Sequence, residues 1–330
     1  MGLQPGNRRS RAVDVLVIGA GPAGCAAAIS ARMAGLTVAM LEVRAACNSP
    51  LPGETLHPGL EPIFRKLGVW DTLLDCGFHR HRGIWRERQD GLRGFEPYGH
   101  DQNGSWLGFQ VDRARLHELL RNRVRDLDGK LSPVMSVDGL LTGEARVAGV
   151  RADGCVYGSR FVLDGTGRHA WLARQLQLEV ERSGPEQRLQ FGWVDDAAED
   201  LDGQPLFRQR TDGWDWLAPV GAGRCAWARL RAASEGSGVD YTWRIFRESA
   251  GRGYCLLGDA ACLMDPSAAN GVLRAMMSGI YAVHLIGAVL KGSIVEDVAI
   301  TEYRKWVSQM FDSTRAQLRE AGLGMARSGK

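Results

Sequence analysis

The sequence predicts an α/β fold: a parallel sheet wound with helices and interrupted by an inserted antiparallel sheet. Three observations predict it. An apolar, β-branched run at Val13–Ile18 ends abruptly in Gly19-Ala20-Gly21-Pro22-Ala23-Gly24, the pattern of a buried parallel strand entering a tight turn. Two later apolar runs also end in a glycine beside an acid, at Asp164-Gly165 and at Gly258-Asp259. Between them, residues 189–231 alternate apolar with polar side chains and are rich in tryptophan, which marks antiparallel strands.

Small residues from Ala23 to Ala34 suit a helix lying close to the sheet, with its unpaired N-terminal amides turned towards a pyrophosphate. A second strand, residues 37–41, leads to Glu42, about 20 residues beyond the glycines, where a carboxylate can accept from a ribose hydroxyl. A Gly-x-Gly-x-x-Gly turn in this setting is a dinucleotide site, with Gly19, Gly21, Ala23, Gly24 and Glu42 as candidate contacts. Residues 43–58, with Pro50, Pro52, Gly53 and Pro58, predict a loop; it carries the segment PGETLHPG at 52–59. Helical spacing follows at 60–67 and 69–74, with Gly68 as the break between them.

Residues 79–86 and 106–111 predict two strands joined by a polar, Gly-rich connection. Alternation places His79 and His81 on one face and Arg80 and Arg82 on the other, so that one face meets a pocket and the other solvent. Residues 112–127 form an amphipathic helix with Leu116, Leu119, Leu120 and Val124 on its apolar stripe. Short strands at 134–137, 146–151 and 155–157 predict a meander, and residues 271–290 and 294–323 predict two final helices.

The division expected is a discontinuous nucleotide lobe, 12–78, 112–170 and 250–330, and a substrate lobe, 79–111 and 171–249. Residues 1–11 read as a polar, disordered lead-in without a secretory apolar core. A net charge of +3 supplies no field for nucleic acid. Seven cysteines without a Cys-x-x-Cys pair argue against a disulfide framework and for a reducing, cytoplasmic setting. The apolar stretch 280–290 is too short to span a bilayer. No histidine cluster has metal-ligand spacing, so no metal is expected. Eight of the ten tryptophans fall between residues 79 and 249, pointing to a pocket for a flat, apolar substrate.

Taken in chain order, the turn at 19–24, Asp164-Gly165, and Gly258-Asp259 followed by Pro266 and Asn270-Gly271 resemble the fingerprint of FAD enzymes of the aromatic-hydroxylase type. Their domain is Rossmann-like, of the glutathione-reductase-2 kind, and the resemblance covers nearly the whole chain. It implies FAD as cofactor. Asp259 would hold the ribityl chain, Asn270, Gly271 and Val272 would aim amides at the flavin pyrimidine, and Arg113 would reach the cofactor. Donors and a positive helix end there favour an anionic reduced flavin.

PGETLHPG resembles a segment of flavin-dependent tryptophan halogenases, and in its fuller form their relatives that mature tryptophan-derived quinone cofactors in other proteins. Residues 213–219, GWDWLAP, resemble the halogenase WxWxIP segment, with Leu-Ala in place of x-Ile. Halogenases carry a lysine a few tens of residues after the Gly-Glu segment, yet none lies between Lys66 and Lys130. The resemblance therefore implies an FAD-dependent monooxygenase hydroxylating an aromatic, an indole or a tryptophan either free or within a partner protein, through a flavin C4a-hydroperoxide. A halogenase using another carrier and a flavin-carrying assembly factor are the alternatives. Glu54 and His57 are the candidate acid–base residues, joined by Trp216 from the second segment. With a single dinucleotide turn, electrons are expected from docked NAD(P)H or a separate flavin reductase.

Overall fold

The computed structural model describes residues 12–43, 53–195, 201–221, 223–235, 238–268 and 270–320. The lead-in at 1–11 lies outside them. Five strands run parallel in the order β10 (Lys130–Val134), β2 (Val38–Val43), β1 (Val13–Ile18), β13 (Cys155–Asp164) and β22 (Tyr254–Leu256). β13 serves two sheets at once: its first residues pair antiparallel with β12 (Arg146–Ala152), which pairs with β11 (Val137–Gly143), and its second half enters the parallel core. β21 (Ala250–Gly251) closes the edge beside β22. Because Ile18, Asp164 and Leu256 stand in register, the three glycine-bearing turns leave the same end of the sheet, where ligands of such sheets bind.

The turns are packed backbone on backbone. Gly19 has φ +94°, and a Cβ there would lie 2.5 Å from the Gly165 carbonyl oxygen; a Cβ on Gly24 would lie 2.0 Å from the Gly19 oxygen. Proline opens the helix Pro22–Met33, where its missing N–H costs nothing. That helix is almost wholly buried because the helix Gly271–Leu290 crosses it closely, a Cβ on Gly279 falling 2.4 Å from the Ala23 oxygen. Gly271–Leu290 is long and apolar enough to cross a membrane; here it packs Val272, Met276, Ala282, Val283 and Ile286 into the main core. The helix Glu296–Glu320 lies outside it and sends Tyr303 inward to donate to the Leu256 carbonyl at 2.8 Å.

A second sheet has the order β19 (Val239–Asp240), β15 (Gln187–Asp195), β18 (Arg224–Ala232), β17 (Gly213–Gly221), β16 (Leu206–Gln209), β5 (Gly83–Glu87) and β6 (Arg93–Pro97). One face builds a separate core of Ile84, Leu189, Phe207, Trp214 and Leu230. A three-stranded sheet, β3 (Gly53–Leu56), β9 (Gly108–Asp112) and β4 (His79–His81), lies against β17. Smaller pairings join β14 (Glu181–Arg182), β20 (Arg244–Ile245) and β23 (Cys262–Leu263), and β7 (His100–Asp101) with β8 (Gly104–Ser105).

The loop expected over 43–58 is in part a strand. Residues 53–56 pair with β9, Glu54 opposite Val111 and Thr55 opposite Gln110, so long-range pairing overrides the local proline and glycine signals; residues 44–52 lie outside the described chain. The single strand expected at 79–86 is two, parted at Arg82 and assigned to different sheets. Arg80 does not face solvent: its guanidinium sits 3.9 Å from the Phe109 ring centre and donates to the carbonyls of Leu107 and Gly108. Residues 134–137 span the junction between β10 and β11, and the strand expected at 155–157 runs on unbroken to Asp164.

The glycine packing generates a test. Gly24→Ala is expected to cost about 3 kcal/mol in urea unfolding, through overpacking against backbone that has no room to yield. Gly21→Ala, whose added Cβ meets nothing within 4 Å, is expected to stay within about 1 kcal/mol of the parent. Equal losses would remove backbone contact as the reason for the pattern.

Candidate active site

The first turn is clamped from one side. The Ala20 amide donates to the Glu42 carboxylate, which also pairs with Arg121 at 3.5 Å, while the Arg121 Nε donates to the Ala20 carbonyl at 3.3 Å. Gly21 caps the helix Pro22–Met33 without any side-chain hydrogen bond, no acid lies in the first turn, and the space beside Gly21 is open. Ala23, behind the turn, packs next to Gly258. The Asp164 carboxylate is fully buried and engaged internally, accepting from the amides of Thr166 at 2.9 Å and Leu172 at 2.8 Å. Its part is to shape the second turn around Gly165.

At the centre stands Arg113. The β3–β9 pairing sets Gly53 opposite Asp112, which brings Glu54 beside the start of the helix Arg113–Asp126; Asp112 caps that helix by accepting from Ala114 at 2.8 Å. Arg113 Nη1 lies 3.4 Å from Glu54 Oε2, and its Nε donates to His117 Nε2 at 3.4 Å. Side-chain exposures of 30% for Arg113 and 26% for Glu54, with protein on every other side, describe a cleft. Burial raises the Glu54 carboxyl above its ordinary range, opposed by Arg113 and reinforced by Asp259. Burial works against charge on Arg113, yet Glu54, Tyr241 and Asp259 together raise it.

Asp259 faces Arg113, Arg274, Arg244 and Arg168; burial lifts its carboxyl while these cations pull it down. No hydrogen bond from another described residue occupies its carboxylate. Arg115, two residues further along the same helix, points elsewhere, donating to the Cys76 carbonyl at 3.1 Å and lying over the Phe78 ring.

His57 Nδ1 accepts from the Gly59 amide at 3.0 Å, so the neutral ring carries its proton on Nε2. It meets Tyr98 edge-on at 5.0 Å, and burial lowers its pKa. No hydrogen bond or ring pairing among the described residues joins Trp216 to Glu54 or His57; it is half-buried on the face of β17 that carries Trp214, its ring 6.3 Å from that of Phe207. Phe207 in turn lines a cleft of about 450 Å³ together with Arg86, Glu96, Ser267, Asn270 and Leu318. Pro266 opens a short turn, Pro266–Ala268, and Asn270 caps Gly271–Leu290 without a side-chain bond, open space lying beside Gly271 and Val272 buried behind it. Among the described residues no His, Cys, Asp or Glu group has a metal-holding arrangement.

Sequence reasoning missed His117, Arg121, Tyr241 and Tyr98. For the first two a signal existed: Arg113, His117 and Arg121 recur every fourth residue and so share a helix face. Tyr241 and Tyr98 reach the site only through the fold.

A family model described as FAD binding domain matches residues 12–219. Curated relatives include a 1H-pyrrole-2-carbonyl-[peptidyl-carrier protein] chlorinase of Pseudomonas fluorescens, 22% identical over 88% of this chain and 78% of its own. The flavin-dependent halogenase armH3 of Armillaria mellea is 23% identical over 87% and 69%. Among solved structures, the myxobacterial chondrochloren halogenase CndH superposes with TM-score 0.85 at 21% identity, over 97% of this chain and 85% of that one. The peptidyl tryptophan dihydroxylase QhpG superposes with TM-score 0.76 at 20% identity, over 97% and 77%. The cofactor is FAD, and the residues present fit it: two helix N-termini without side-chain caps open onto free space, and a carboxylate and an arginine stand in the cleft between them.

His117 generates a pH test. Burial first, then Arg113 and Arg121, lowers its pKa to about 3. With the folded value below the unfolded one, the unfolded chain takes up the proton first, and stability falls as pH drops from about 6.5 towards 3. In urea unfolding between pH 7 and 5, His117→Gln is expected to flatten that fall by about 1 kcal/mol per pH unit. Parallel pH profiles would show that His117 is not buried in its neutral form.

Proposed function

We propose that this chain, which belongs to the FAD binding domain family, is an FAD-dependent monooxygenase that hydroxylates an aromatic ring, an indole or a tryptophan held in a peptide or partner protein. Two observations carry this reading: an aromatic cluster of Phe207, Trp214, Phe191 and Trp216, of which Phe207 lines the cleft of about 450 Å³, and the Glu54–Arg113 pair, which with His57 offers acid–base groups. The four described lysines, Lys66, Lys130, Lys291 and Lys305, are all exposed. The fold likeness to a peptidyl tryptophan dihydroxylase agrees with this substrate class. Six free cysteines among the described residues fit a reducing compartment, the cytoplasm.

When bound, the flavin supplies the redox chemistry, taking electrons from NAD(P)H or a flavin reductase and activating dioxygen. The chain supplies binding, orientation and proton handling. Amides at Gly21, Ala23 and Gly24 take the pyrophosphate, and Glu42, steadied by Arg121, takes the ribose. Asp259 accepts from the ribityl hydroxyls and Arg113 reaches the cofactor. The amides at Gly271 and Val272, with Pro266 and Asn270 shaping their approach, face negative charge on the ring system. Gly19 and Asp164 act one step back, by setting the turns. Glu54, its carboxyl raised by burial, holds a proton at its carboxyl oxygens nearer neutrality than a surface glutamate does, and His57 presents Nε2–H to the substrate. Trp216 offers its face to a flat ring.

Halogenation is the second reading, favoured by the names of the curated relatives. The test is to reduce the purified holoenzyme anaerobically, then add labelled dioxygen and a tryptophan-containing peptide, with and without bromide. The expected product carries labelled oxygen and no bromine, and Glu54→Gln is expected to slow its formation about 100-fold. A brominated peptide would overturn the hydroxylase reading. Complete release of the electrons as hydrogen peroxide, with every indole offered left intact, would favour the assembly-factor alternative.

A further inference from the structure

Two segments distant in sequence, the GWDWLAP strand and the turn after Gly258-Asp259, meet at one buried carboxylate. Asp265 is 1% exposed. Its Oδ1 accepts from the Trp214 indole N–H at 3.0 Å and from the Ser267 amide at 2.9 Å. Its Oδ2 has no hydrogen-bond partner among the described residues, and neither has the indole N–H of the fully buried Trp243, which nonetheless lies near enough to favour charge on Asp265. A carboxylate is costly to bury, and the turn Pro266–Ala268 needs no such group merely to form. What a buried, directional bond adds to apolar packing is register.

The two ends of this bond border the same cleft. Trp214 backs Phe207, their rings 5.8 Å apart, and Phe207 is the cleft's aromatic wall. Asp265 and the Ser267 amide belong to the turn that leads into Gly271–Leu290, and Ser267 and Asn270 line the cleft together with Phe207. We propose that Asp265 is a positioning residue: through the Trp214 indole it holds the N-terminal amides of the helix Gly271–Leu290 in register with the aromatic wall. Ring and cofactor are thereby kept at a fixed separation. The inference rests on the reading that this cleft receives the substrate.

The test uses the FAD-loaded enzyme. Trp214→Phe keeps a ring against Phe207 but removes the N–H together with part of the indole, so the Asp265 pair isolates the bond itself; Asp265→Asn keeps an oxygen able to accept both donors; Asp265→Ala removes it. Hydrogen–deuterium exchange at residues 266–274 is expected to quicken about tenfold in Trp214→Phe and in Asp265→Ala, and to stay near the parent rate in Asp265→Asn. With a tryptophan-containing peptide present, the share of electrons released as hydrogen peroxide is expected to rise in the two loosened variants at unchanged FAD content. Exchange in Trp214→Phe within twofold of the parent, or loosening by Asp265→Asn as large as by Asp265→Ala, overturns the proposal. Should Trp214→Phe not fold, the pair at Asp265 reads the same bond from its other end. Failure of the parent to oxidise any peptide sinks the hydroxylase reading alone, because the exchange rates decide the tether without turnover.

Discussion

The structure depends on the direct approach of two backbone turns, the one after β1 and the one after β13. Gly19, Gly24 and Gly165 touch through main-chain atoms, with no volume left for a methyl group between them. That contact lets strands far apart in sequence end side by side, and it turns the helix Pro22–Met33 so that its open amides face outward from the sheet end. The third turn, at Gly258, is held by the Leu257 amide donating to the Asp164 carbonyl and by the Gly258 amide donating to Ser278. One local steric fact thus brings the first, middle and last parts of the chain to a single place.

Much of this was legible in the sequence because its signals are local. An apolar run ending in glycine reads as a strand and turn wherever it stands, and Gly68 stops a helix by its own left-handed conformation, φ +68°. The parts that were not legible depend on pairing across distance. PGETLHPG carries every local mark of a loop, yet β9 recruits its middle as a strand, and only that pairing places Glu54 beside Arg113. His79 and His81 alternate as expected, but the strand carrying them ends at His81 because Gly83–Glu87 is claimed by another sheet. Trp216 belongs to a recognisable segment, while its placement against Phe207 instead of Glu54 follows from the register of β16 with β17.

The helix Arg113–Asp126 shows how one element serves both fold and site. Leu116, Leu119, Leu120 and Val124 bury its apolar stripe, and the adjoining face carries Arg113, His117 and Arg121. Arg121 braces the first turn through Glu42 and Ala20, and Arg113 reaches the cleft. Between them a neutral imidazole gives Arg113 an acceptor without adding charge. A carboxylate at that position would have cancelled the arginine; an apolar residue would have left its Nε unsupported.

The balance of charge in the cleft follows from the same economy of acceptors. Arg113, Arg168, Arg244 and Arg274 all act on Asp259, with Glu54 beside Arg113 and Asp240 beside Arg244 as the further carboxylates, so these cations outnumber the carboxylates they meet. In a polar, screened surface such a surplus is of little consequence, but at this depth it sets up a positive potential. Burial adds to that potential by lifting both carboxyls, which makes the negative charge of Glu54 and Asp259 easier to neutralise than that of surface acids. The positive ends of the helices Pro22–Met33 and Gly271–Leu290 add to the same side of the balance. A site arranged this way is short of anion until something negative enters it, and FAD brings that charge twice, on its pyrophosphate and on its reduced ring.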